Sequence, residues 1–147
     1  MTFNIYLSGE IHSDWREQIR QGILDRQLDI ELTGPVTDHE SSDDIGEKIL
    51  GVEQNPFWKD HKAAKINAIR NTVLIRRADI VIVRFGDKYR QWNAAFDAGL
   101  AIAQNKPLIV MHAPELTHPL KEIDAAALAV VETPRQAIEI LQYISEN

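Results

Sequence analysis

Three features of this 147-residue sequence predict an α/β fold built on a parallel sheet. Short runs of β-forming residues alternate with stretches of helical periodicity, the connections between them are short, and the inner runs lack strict polar alternation. The last feature matters most, because a strand covered by helices on both sides must be apolar on both sides. A composition of 44% hydrophobic and 26% charged residues suits one globular domain, 1–147, with a single core.

The elements follow in order. Phe3 to Ser8 reads as the first strand, broken by Gly9, and Ser13 caps a helix in which Trp15, Ile19, Ile23 and Leu24 recur at helical spacing. Leu28 to Leu32 is a second strand ended by Thr33-Gly34-Pro35. The acidic stretch from Thr37 to Asp44 reads as a loop leading into a short helix over Ser42 to Leu50. Asn55-Pro56 breaks the chain, and Lys59 to Arg77, free of Gly and Pro, forms an amphipathic helix with Ala63, Ile66, Ile69, Arg70 and Val73 on one flank. Asp79 to Phe85, nearly continuous in Ile and Val, is the third strand, and Gly86 ends it. Asn93 to Gln104 is a helix with Asn105 as its C-cap and Pro107 just beyond. Leu108 to Met111 and Leu128 to Val131 are the fourth and fifth strands, separated by a loop holding Pro114 and Pro119, and Pro134 opens the last helix. Five parallel strands with helices on both faces make a flavodoxin-like three-layer α/β/α sandwich, whose ligands collect at the carboxyl ends of the strands.

Several classes of function drop out. Cysteine is absent, which excludes disulfides, thiolate zinc sites and cysteine nucleophiles. No cofactor and no metal are expected. The sequence holds no Gly-x-Gly-x-x-Gly after the first strand, no Gly-x-x-x-x-Gly-Lys and no Gly-x-Ser-x-Gly, and the cluster of His39, Glu40, Asp43 and Asp44 lacks a calcium loop's glycine. A response-regulator receiver would need a carboxylate where Arg84-Phe85-Gly86 stands. The start has no basic region ahead of a long apolar stretch, so a cytoplasmic protein with no membrane partner is expected. A net charge of −6 argues against nucleic acid as a partner. Residues 59–90 nonetheless carry a net charge of +6. That band is a solvated helix face, a subunit contact or a seat for a small anion, and within it Arg84, Lys88 and Arg90 flank a strand end.

Three strand ends converge on one edge of the sheet: Tyr6-Leu7-Ser8-Gly9-Glu10, the segment Arg84 to Ala95, and Met111-His112-Ala113. With Asn93 as N-cap, Asp97 falls about one turn into its helix, where the helix dipole favours an ionised carboxylate. On the residues alone Asp97 is a nucleophile or, equally, a capping or solvated acid. Gly99 costs roughly 1 kcal/mol against Ala inside a helix, which predicts close packing there. His112 reads as a hydrogen-bonded structural residue.

Tyr6-Leu7-Ser8-Gly9, the run Ile75-Arg76-Arg77-Ala78-Asp79-Ile80-Val81-Ile82-Val83, and Ala95-Phe96-Asp97-Ala98-Gly99-Leu100-Ala101 followed by Asn105-Lys106-Pro107 resemble the nucleoside 2-deoxyribosyltransferase family, most of all its small bacterial YtoQ-type branch. The resemblance implies a homo-oligomer with a nucleoside or nucleotide as its small-molecule partner. It also implies cleavage or transfer of the N-glycosidic bond, in which a carboxylate attacks the anomeric carbon and another base or water resolves the glycosyl-enzyme. Asp97 matches the family nucleophile, generally Glu and so one methylene longer. Gln91 and Asn71 stand where Asp is common, Glu10 where Pro is common, and Asn93 and Ala94 where Gly and a hydroxyl residue are usual. Asp79 is kept, but it opens its strand and is read as structural. On these terms Tyr6, Ser8 and Gly9 orient Asp97 and the sugar, Gln91, Asn71 and Asn93 hydrogen-bond sugar or base, and Glu10 protonates the leaving base. Trp92 stacks on a base, while Arg84, Gly86, Lys88 and Arg90 meet a phosphate. Two alternatives stay open: a pocket of the same fold that binds nucleosides with little turnover, and an interaction protein using Lys62, Lys65 and Arg70 as a contact surface.

Overall fold

The computed structural model describes residues 1–146. In chain order they form β1 (Phe3–Gly9), α1 (Trp15–Asp25), β2 (Ile30–Thr33), α2 (His39–Leu50), α3 (Pro56–Arg77), β3 (Ile80–Arg84), α4 (Trp92–Ala103), β4 (Leu108–Met111), α5 (Lys121–Ala126), β5 (Ala129–Val131) and α6 (Pro134–Ser145). All strand pairs are parallel, in the order β2-β1-β3-β4-β5. This is the flavodoxin-like sandwich, with the order reversing beside β1 and β3 and a crevice at their carboxyl ends.

Strand alternation divides the interior in two. Ile5, Leu7, Ile82 and Met111 face Trp15 and Ile19 of α1 and Ile138 and Leu141 of α6. Tyr6, Val81, Val83 and Val110 face Ile75 of α3 and Ala94, Ala98 and Ala101 of α4. The single core expected from composition is thus a pair, one on each side of the sheet. Each large aliphatic side chain fully buried there contributes about 1.5–3 kcal/mol. At the functional edge, β1 and β3 approach so closely that only glycine fits: Gly9 has φ +120°, and a Cβ on it would lie 2.0 Å from the Arg84 carbonyl oxygen.

Helix α2 lies along α3, where a Cβ on Gly46 would come within 2.6 Å of the Ala63 nitrogen. The Asn67 amide donates to the Ser42 carbonyl at 3.0 Å. Lys59 meets Asp44 and Glu47 at 3.5 and 3.8 Å, and Lys62 meets Glu53 at 3.3 Å. Arg70 donates to the Gly34 carbonyl at 2.6 Å, holding the loop after β2. Three side chains of the basic band are therefore engaged within the fold.

Several boundaries differ from the sequence reading for local reasons. The Ser13 hydroxyl turns back to the Glu10 carboxylate, so Asp14 is the N-cap of α1 and makes no side-chain cap bond. The acidic stretch read as loop is helical from His39, because the Asp38 carboxylate accepts the Ser41 amide at 3.0 Å. Asn55 caps α3 in the same manner, with Pro56 in its first turn. Gln91, not Asn93, is the N-cap of α4. Asn105 follows that helix with φ +55°, as a C-terminal stop requires. The loop after β4 contains a 3-10 turn, Pro114–Leu116, and α5. Gly99 is exposed and a Cβ on it would touch nothing within 4 Å, so the close packing expected of it is not made within the chain.

Candidate active site

A cavity of about 610 Å³ opens between the carboxyl end of β1 and helices α2, α3 and α4. Asp97 stands in its wall, 7% exposed, and the buried Ser8 hydroxyl donates to its Oδ2 at 2.6 Å. Alternation along β1 turns Ser8 toward α4, and Asp97 lies on the α4 flank that carries Ala94, Ala98 and Ala101. Burial pushes the Asp97 carboxyl above the usual carboxylate range, and the Ser8 hydrogen bond offsets part of that shift. Because α4 starts at Trp92, Asp97 lies beyond its first turn, where the helix dipole has faded. Burial, not the dipole, therefore sets the acidity of this group. Tyr6 is wholly buried, and its phenol oxygen has no hydrogen-bond partner among the described residues. Burial and then the Asp97 charge hold that phenol protonated, well above its ordinary pKa.

Glu10 is 5% exposed and fully engaged. Its carboxylate accepts from the His12 amide at 2.7 Å, the Ser13 amide at 3.1 Å, the Ser13 hydroxyl and Arg84 Nε at 3.0 Å. Burial would raise its pKa, but the Ser13, His12 and Arg84 donors outweigh it and hold the carboxyl below its usual value. These four donors favour the ionised, accepting form of the Glu10 carboxylate. The last of these contacts engages the Nε of Arg84, a residue that lines neither this cavity nor the one adjoining it. Gln91 is occupied as well: its Oε1 accepts the Gly86 amide at 3.0 Å, and its Nε2 donates to the Lys88 and Tyr89 carbonyls at 2.5 and 2.8 Å. It shapes the loop before α4 and has no donor left over for a sugar.

Of the remaining candidates, Ser8, Gly9, Asn71 and Asn93 line the cavity beside Asp97. The Asn71 amide makes no side-chain hydrogen bond among the described residues and is available to a ligand. A second cavity of about 500 Å³ adjoins the first through Gly9, Ile11, His39, Asn93 and Ala94. Arg90 and Trp92 line it, together with His12 and Tyr89, whose rings lie 4.9 Å apart. Lys88 and Gly86 line neither cavity. His12, Asp60 and Phe96 also line the cavities and carry no sequence signal: His12 lies in the turn between β1 and α1, the other two are single residues of α3 and α4, and no local pattern reveals that they border the crevice. At the other end of the edge, the His112 ring lies within 2.9 Å of Asp124 and 2.7 Å of the Ala113 carbonyl, tying β4 to α5 as the structural reading expected. Among the described residues no group of three or more His, Asp or Glu could hold a metal, and no helix is long and apolar enough to cross a membrane.

The family model described as nucleoside 2-deoxyribosyltransferase YtoQ matches residues 6–145. The chain belongs to this YtoQ family. The uncharacterized protein YtoQ of Bacillus subtilis (strain 168) is 50% identical over 147 residues, covering 100% of this chain and 99% of its own. The 2-deoxyribosyltransferase from Bacillus psychrosaccharolyticus superposes with a TM-score of 0.56 at 19% identity, over 92% of this chain and 90% of that one. A conserved protein from Enterococcus faecalis V583 reaches a TM-score of 0.62 at 15% identity, over 98% and 99%. DNA processing protein A from Helicobacter pylori, described for a single-stranded DNA binding mode, reaches 0.54 at 15% identity, over 98% and 82%. At these identities the solved structures establish the shared fold of the YtoQ family member, and nothing about its ligand.

Proposed function

We propose that the protein cleaves or transfers the N-glycosidic bond of (deoxy)nucleosides or nucleotides, with Asp97 as the nucleophile. One observation carries the reading: the buried Asp97–Ser8 pair in the wall of a cavity sized for a small molecule. The family and the activity in the name of the B. psychrosaccharolyticus neighbour support the substrate class. An Asp97 oxygen attacks the anomeric carbon as the C–N bond breaks. The bonding pair leaves with the base nitrogen, which takes a proton from water. A second base nitrogen, or water, then attacks the glycosyl ester and restores the carboxylate. Ser8 positions Asp97, Asn71 and Asn93 hydrogen-bond the ligand, and Glu10 with Arg84 fixes the β1–α1 turn.

The test is incubation with purine and pyrimidine deoxynucleosides and their 5'-monophosphates, with and without a second base, while free or exchanged base is measured. Wild type is expected to release or exchange base, and Asp97→Ala is expected to abolish this. Equal behaviour of the two on every donor overturns the enzyme reading. A second reading, a nucleoside-binding pocket with little turnover, follows from Asp97 being one methylene shorter than the Glu usual in the family, and predicts calorimetric binding without released base.

We also propose that the chain assembles through α4. Trp92, Phe96, Gly99 and Ala103 follow one another at helical spacing and are all exposed, with Trp92 and Phe96 each 70% so. A second helix packed there would give Gly99 the neighbour it lacks within its own chain.

A further inference from the structure

The two adjoining cavities differ in charge. Asp43 and Asp60 line the larger one, and neither is paired with a cation or bonded through its side chain among the described residues. The annex has the opposite character. Arg90 lines it with no carboxylate partner among the described residues, its guanidinium 5.7 Å from the ring centre of exposed Trp92. His12 and His39 stand in the same wall. Glu10 is the single acid lining the annex, and its charge is matched by Arg84 at 3.0 Å. The amino end of α4, which has no side-chain cap, points its dipole the same way. Asp97 lies in the wall of the larger cavity, one helical turn from Asn93, which both cavities share.

We propose that the annex is a seat for a phosphate group and that the preferred ligand is a nucleoside 5'-monophosphate. Its anomeric carbon sits at Asp97, its 5'-phosphate against Arg90 with His12 and His39, and its base toward Asp43 and Asp60. The charges fix this direction. A phosphate dianion beside Asp43 and Asp60 in the larger cavity would face two unpaired carboxylates, whereas in the annex it meets an unpaired guanidinium. Amino-bearing bases, in turn, can donate to those carboxylates. The assignment rests on the nucleoside reading of the cleft and, of the residues expected to meet phosphate, keeps Arg90 and leaves out Arg84, Gly86 and Lys88.

The experiment is calorimetry of the full chain with one deoxynucleoside, its 5'-monophosphate, deoxyribose 5-phosphate and inorganic phosphate. The monophosphate is expected to bind at least tenfold more tightly than the nucleoside, an advantage that shrinks as salt is raised. In Arg90→Gln the ratio of the two affinities falls toward one, and Arg90→Lys restores part of it. Arg90 is exposed, so neither change disturbs the core. Deoxyribose 5-phosphate competes, and inorganic phosphate does so far more weakly. If the nucleoside binds and its phosphate adds nothing, or the ratio survives Arg90→Gln, the annex assignment alone falls. Inorganic phosphate competing as well as the sugar phosphate overturns it in favour of a free-anion site. If neither nucleoside nor nucleotide binds, the nucleoside reading of the cleft falls and takes the annex with it.

Discussion

Asp97, the nucleophile of the proposed reaction, carries a cost in stability. Its folded pKa is raised above the unfolded value, so as pH rises past the unfolded pKa the unfolded chain releases its proton first, and stability falls until the folded group ionises too. Asp97→Asn keeps the Ser8 hydrogen bond and removes the buried charge. It is expected to raise stability at pH 8 by on the order of 1 kcal/mol, about 2–4 °C in Tm, while abolishing turnover. Melting curves at pH 8 and pH 4 check the sign, since the gain should vanish at the lower pH. If Asp97 is the nucleophile, the same shift is expected to place the acid limb of kcat/KM above that of an ordinary carboxylate. Ser8→Ala removes the donor that offsets it, so the limb should move further up in a pH–rate profile, with kcat/KM lower by about ten- to a hundredfold. Residues of this kind were partly legible in the sequence. Asp97 and Ser8 stood out by type and place and Asn71 through the family resemblance, whereas the engagement of Gln91 with three backbone groups depends on a loop conformation that spacing does not encode.

At the scale of elements, the turn from β1 to α1 is held by one carboxylate. Glu10 joins two amides, a hydroxyl and the Arg84 guanidinium, while its own carbonyl accepts from Trp15 Nε1 at 2.9 Å and Arg16 at 2.7 Å. Glu10→Gln is therefore expected to cost about 1–3 kcal/mol in a urea titration at pH 7. The folded Glu10 pKa is depressed, so its stabilisation is present above the unfolded pKa and lost as pH falls through the folded one; the deficit of the variant should narrow in acid. A positioning role leaves the basic limb of the pH–rate profile in place, and a proton-donating role would move it. The helices were legible where periodicity is strong, as in α3 and α6. The start of α2 was hidden because polar residues at the first turn of a helix look the same as polar residues in a loop, and only the Asp38 cap separates the two cases.

On the scale of the whole molecule, the fold was legible because β3 and β4 are apolar on both faces, a property of buried parallel strands. What lay beyond the sequence was the joining of two cavities of opposite charge, since Asp43, Asp60 and Arg90 come from three different elements or loops. The basic band, read as a contact surface among other things, has Lys59 and Lys62 paired with acids of α2 and the segment after it, and Arg70 bonded to Gly34. Assembly is expected instead through α4. Gly99→Leu meets no neighbour in the single chain, so it should leave helix content unchanged while shifting sedimentation equilibrium toward the monomer. The split interior has a further consequence for anyone who redesigns the protein. Every residue of the candidate site that belongs to a core belongs to the one facing α3 and α4, and on the opposite side, in the layer of α1 and α6, α1 reaches the cleft through the turn at Glu10. That layer can serve as a chassis: repacking Ile23, Ile138 and Leu141 for heat tolerance, or grafting a tag beyond α6, changes the bulk of the molecule while its reactive edge keeps its geometry.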